Sequence, residues 1–359
     1  MGKCKDIIMI SAVLCYSVLV IIWSKDIGKY VLNSINSCVN VIIPSLFIFM
    51  IISSFIITSN LYVLIGRPFS FIARYVFRIP EELFSVFLIS CVGGYPVGAK
   101  LLSDLWREKR LDVNTYNDMM TYCYLSGPAF ICSIVGVNVF DDIRVGIIIF
   151  ISVLTANLII AAVIGRKRTV PNKNKYNSIL NFSMVNLIKS ISDGGKSMFS
   201  ICVIIVFFSS VICIAEKIGA ISSVANFIDK HTYLNYSDSM AAVKSIIEIS
   251  NVSGFKADIS SLPLIAALLS FGGICVIIQI KGIVNVLPLK KFIVFRIVSM
   301  ILSYLICKII CIAVFGNAVM TNSPAQLAHS QNSPIQTLFL LIMTILFLLK
   351  FSIEKNRKM

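Results

Sequence analysis

The side chains most able to do chemistry gather at the ends of a few apolar runs. Glu248 lies in Ala241–Asn251 (AAVKSIIEISN), beside the hydroxyl of Ser250 and the amide of Asn251. A charge carried into the centre of a membrane helix costs about 2.5–3.5 kcal/mol on insertion scales. The carboxylate must therefore face a cavity, where it meets a cation or carries a proton, or else pair with Lys244 one turn earlier. Asn251 either offers its amide to a ligand or caps the segment. A second group is Gly93, Gly94, Tyr95 and Pro96, with Lys100 behind them. A third is Ser126, Gly127 and Pro128, and a fourth is Gly272 and Gly273, followed by Gln279. Glycine lets backbones approach closely and proline stops the hydrogen-bond ladder, so each group should break a helix. A helix broken at membrane depth leaves amides and carbonyls that can hold a solute or ion, although such breaks also serve packing alone. Tyr95 either stacks on a flat ligand or packs. Lys100 either reaches an anion or anchors the inner surface, and Gln279 bonds a ligand or nearby carbonyls.

Other chemistries lack residues. Eleven cysteines are present, nearly all in or beside apolar runs, and no Cys-x-x-Cys occurs. Such cysteines behave as small hydrophobes. With His231 and His329 as the only histidines, no metal site is expected. No P-loop, HExxH or nucleophile signature appears, so the chain is read as no enzyme and as needing no cofactor.

These groups must be positioned by helices in lipid. Of 359 residues 57% are hydrophobic and 14% charged, and the mean hydropathy is +0.90. Soluble domains run nearer 25% charged. An ordinary soluble enzyme is thereby excluded, and so is a nucleic-acid partner, despite the net charge of +15. The expected fold is an all-α polytopic membrane protein. Eight spans of sufficient length are predicted at Ile7–Trp23, Cys38–Ile57, Met119–Phe140, Val145–Gly165, Phe199–Ala215, Leu262–Ile280, Phe292–Phe315 and Ile335–Phe351. Leu83–Val92 and Ala241–Asn251 are too short to cross and read as arms of two re-entrant hairpins. Leu61–Phe77 and Ala220–Asp229 read as helices in the interface. With both termini cytoplasmic, 24 Lys and Arg, Arg296 among them, fall inside and 7 outside. That asymmetry supports the orientation.

The element order recurs, and the two copies face opposite ways. The chain divides into an anchor and loop (1–34), a first repeat (35–165), a basic cytoplasmic linker (166–197), a second repeat (198–315), and an external loop, last span and basic tail (316–359). Inverted repeats with paired interrupted segments are a transporter arrangement.

Pro44–Phe47, Gly93–Lys100 (GGYPVGAK), Ser126–Phe130, Glu248–Asn251 and Phe271–Gly273 with Gln279 resemble the sporulation integral membrane proteins of the YlbJ type. These belong with the nucleoside-recognition Gate domain proteins. The resemblance covers roughly residues 35–315. It implies a role in endospore formation and a place in a bacterial cell, forespore or mother-cell membrane. The resulting expectation is a protein that transports or senses a small solute, with a cation or proton as its coupling partner. The other reading is a membrane scaffold that recruits partners for spore envelope or coat assembly.

Overall fold

The computed structural model describes residues 2–166, 168, 180–284 and 286–316. Among these the chain is helical, with no strand. Its helices are α1 (Gly2–Ile22), α2 (Ser24–Ser37), α3 (Ile43–Thr58), α4 (Tyr62–Gly66), α5 (Ser70–Ile72), α6 (Glu81–Gly93), α7 (Tyr95–Arg107) and α8 (Val113–Tyr122). The remainder are α9 (Pro128–Phe130), α10 (Ile143–Gly165), α11 (Met184–Lys217), α12 (Ala220–His231), α13 (Tyr236–Ile247), α14 (Leu262–Phe271), α15 (Gly273–Ile283) and α16 (Leu289–Phe315).

Five helical stretches are long and apolar enough to cross a membrane: Ser24–Thr58, Ile143–Gly165, Met184–Lys217, Ile259–Ile283 and Leu289–Phe315. They contain five of the eight expected spans. The first expected span forms a shorter apolar helix, Asp6–Ile22, and the third is broken, leaving Pro128–Val137 as its apolar arm. The expected span Ile335–Phe351, the loop before it and the basic tail lie outside the described residues. Lipid suits what the helices expose. Ile8, Leu14 and Ile21 of α1 are 64%, 61% and 74% exposed, a surface that water would not tolerate over so large an apolar patch.

Two elements run longer than the sequence suggested. Residues 24–34, expected as loop, form α2, which continues through a π-turn at Cys38–Ile42 into α3. Pro44 has no N–H and would clash with the carbonyl one turn back, and the widened turn before it accommodates the ring. Likewise α11 starts at Met184, inside the expected linker. The Ser183 Oγ accepts from Val185 N at 3.1 Å and Asn186 N at 3.3 Å, an N-cap that sets the boundary. Leu61–Phe77 is helical in short pieces, and Ala220–Asp229 falls within α12.

In chain order, the long helix α3 is followed by the short α4 and α5, by α6 and α7 meeting at Gly94, by the interrupted α8–α9 and by the long α10. The long helix α11 is followed by α12, by α13 with short 3-10 turns behind it, by the interrupted α14–α15 and by the long α16, with no α-helix among the described residues in the place of α7. Close approach holds the centre together: the Oγ atoms of Ser270 on α14 and Ser299 on α16 stand 2.6 Å apart, a small-residue crossing of the kind membrane helices favour. At one end of the bundle, Asp118 accepts from Arg168 at 2.8 Å and from Lys291, tying α8 to the start of α16.

Candidate functional site

The four breaks meet in pairs. Gly94 joins α6 to α7 with φ 82° and ψ −174°, a conformation essentially restricted to glycine. A Cβ there would stand 3.2 Å from the amide nitrogen of Gly127, so the first hairpin turn lies directly on the break between α8 and α9. In the second half the positions correspond. A Cβ on Gly273, at the α14–α15 break, would stand 3.1 Å from Ser245 O and 3.3 Å from Ile249 N, where α13 ends. Gly272, with φ 86°, leaves room for the Tyr124 hydroxyl.

Cross-links join the two pairs. The Tyr95 hydroxyl donates to Leu269 O, and the Tyr124 hydroxyl donates to Phe271 O at 3.2 Å. The Tyr95 and Tyr124 rings lie 4.8 Å apart. Arg296, with 0% of its surface exposed, lies over the Tyr124 ring with its Cζ 4.8 Å from the centroid. Its guanidinium donates to Tyr124 O at 2.6 Å, to Thr121 O, to Ser270 O at 3.4 Å and to Asn157 Oδ1 at 3.2 Å. Arg296 is therefore no inner-surface topology charge, as its place in the sequence suggested. A buried guanidinium needs acceptors, and it finds them at the carbonyl ends of α8 and α14, where a cation also opposes the negative helix poles. Thr121 O, Tyr124 O and Ser270 O are thus taken by the protein's own cation. Sequence reasoning missed this role. The signal was that Arg296 lies more than a turn beyond Lys290 and Lys291, inside the apolar run.

Apart from a wide opening of about 400 Å³ beside Lys244, Asn251 and Gly254, two cavities are lined by Glu248. The smaller holds about 40 Å³ and is bordered by Gly94, Tyr95, Pro96, Ser126, Gly127, Glu248 and Gln279, with apolar neighbours such as Leu46 and Val276. All four groups read from the sequence thus contribute a segment at or beside one chamber. The larger cavity, about 250 Å³, lies on the other side of Glu248 and is bordered by Ser250, Asn251 and Ser253 together with Asn33, Ser34 and Ser37 of α2. None of the three α2 residues stood out in the sequence, because α2 lay in an expected loop.

Glu248 is 4% exposed. Its carboxylate accepts from Ser250 N at 3.0 Å, from the Ser250 hydroxyl, and from Asn251 Nδ2 at 3.1 Å. Asn251 therefore both caps the segment and borders the larger cavity. Lys244 does not pair with Glu248. Its ammonium lies 2.8 Å from Glu216 Oε2, and the Tyr30 hydroxyl donates to the same oxygen at 2.5 Å. Among the described residues, no Lys or Arg forms an ion pair with Glu248.

Several expected site residues stand back. Lys100 borders neither cavity; its ammonium reaches Ser197 Oγ at 3.4 Å across to α11, because the second turn of α7 points away from the break. Gly93, Pro128, Gly272 and Gly273 shape the breaks without lining either cavity. Gln279 lines the smaller one while donating to Cys275 Sγ at 3.3 Å. Among the described residues no cluster of His, Cys, Asp and Glu suits a metal ion. No known protein family, curated protein or solved structure matches the chain.

Proposed function

We propose that this protein is an eight-span Gate-type membrane protein that moves or senses a small solute and acts in endospore formation. In this reading α6–α7 and the α13 segment are re-entrant hairpins that dip from opposite faces, and the two halves form an inverted repeat. The observation that carries it is Glu248: a buried carboxylate without an ion-pair partner, set between two cavities at the meeting point of the broken segments. A buried carboxylate held by hydrogen bonds alone, with no ion-pair partner among the described residues, is still costly at membrane depth and is kept where it couples to a cation or proton. The smaller cavity has room for about one or two waters, so the conformation described is closed on that side.

Uptake into proteoliposomes tests this directly. Wild-type protein should accumulate at least one member of a panel of small hydroxylated solutes above empty vesicles, and Glu248→Gln should abolish that flux at equal protein content. Equal flux with and without protein for every solute would reject transport. In a spore-forming host, Glu248→Gln should fail to complement a deletion at normal protein level. Full complementation would favour the scaffold reading instead.

A further inference from the structure

The larger cavity makes a narrower statement about the solute, and it rests on the solute-binding reading above. Its wall is mixed: Val41, Ile42, Ile134 and Ile212 supply apolar surface, and polar side chains supply the rest. Asn33, Ser34 and Ser37 project from one face of α2, and Ser250, Asn251 and Ser253 face it from the loop after α13. Hydroxyls and amides of this kind both donate and accept, and so match a ligand carrying several hydroxyl groups. Among the described residues no Lys or Arg lines the cavity. The nearest base on α13, Lys244, is held by Glu216, whose charge is further met by the Tyr30 hydroxyl. Among the described residues, Glu248 is the carboxylate on the wall.

We infer that this vestibule recognises a small hydroxylated organic ammonium ion, such as an amino sugar or amino alcohol. The ammonium would meet Glu248 and the hydroxyls would meet the serines and asparagines. An anion would be placed beside an unpaired carboxylate with no cation to offset the repulsion. A neutral polyol would satisfy the wall and leave the buried charge unmatched. With about 250 Å³, the vestibule suits a solute near the size of a single sugar, and the 40 Å³ chamber beyond Glu248 does not.

Three probes share a skeleton and differ in charge: glucosamine, glucose and glucuronate. Calorimetric titration of the full-length protein in detergent at pH 6 should give glucosamine binding about tenfold or more tighter than glucose, the strength of one charge-assisted hydrogen bond. Glucuronate should not bind. Glu248→Gln should bring glucosamine down to the affinity of glucose. Should that variant fail to fold, Asn33→Asp serves instead: it adds a second carboxylate to the wall and should widen the preference for glucosamine over glucose. Ser34→Leu, which fills the wall away from Glu248, should weaken both ligands without changing the unfolding temperature. Equal binding of glucosamine and glucose, or no binding of glucosamine to wild type, overturns the inference. If glucosamine fails to bind while another solute still crosses proteoliposomes, the ligand class falls and transport stands. If it binds and nothing crosses, the recognition site stands and transport falls.

Discussion

Single residues carry unequal shares of this architecture. Arg296 closes the ends of two broken helices with one guanidinium, and its loss would strand several buried carbonyls at about 1–3 kcal/mol each. Arg296→Met should lower the unfolding temperature in detergent substantially. Arg296→Lys should recover less than half of the loss, because an ammonium cannot fork between α8 and α14. An Arg296→Met protein as stable as wild type would show that the clamp contributes nothing. Gly94 is sensitive for a different reason. Its φ of 82° with extended ψ belongs to glycine, so Gly94→Ala should cost about 1–3 kcal/mol in backbone strain alone, measured by the same melting experiment. The glycine and proline breaks were legible in the sequence, since those residue types act through the local backbone. The Arg296 clamp was not, because its acceptors lie on α8, α10 and α14, far away along the chain.

At the level of elements, helix ends decide what the sequence reading captured. Apolar runs marked α10, the core of α11, α14–α15 and α16, because burial and lipid contact both demand them. The polar extensions were harder to see. Residues 24–34 and 184–197 are too polar to register as spans, and they become helical by continuing or capping an apolar neighbour. Tyr30, Asn33 and Ser34 of the first extension line the larger cavity. Ser183→Ala removes the N-cap of α11 and should cost about 0.5–2 kcal/mol, with Ser183→Asp close to neutral. Chemical denaturation followed by circular dichroism would check this. An unchanged midpoint for the alanine variant would mean that tertiary contacts alone set where α11 begins. The paired breaks behave as units too: the end of α6 rests on the α8–α9 break, the end of α13 rests on the α14–α15 break, and Tyr95, Tyr124 and Arg296 join the two pairs.

Across the whole molecule, we propose that two halves of opposite orientation bring their broken segments together around Glu248, and the charge-derived orientation places the Asn251 side of the larger cavity toward the outer face. The charge asymmetry of the loops is what suggests this orientation. The measurement that tests the claim most directly is side-specific cysteine labelling. In a background lacking the eleven native cysteines, Asn251→Cys and Ser126→Cys would be treated with a membrane-impermeant maleimide from each face. Asn251→Cys should label from outside and not from the cytoplasm, while the fully buried Ser126 position should label from neither. Labelling of Asn251→Cys from the cytoplasmic face would contradict the inverted arrangement.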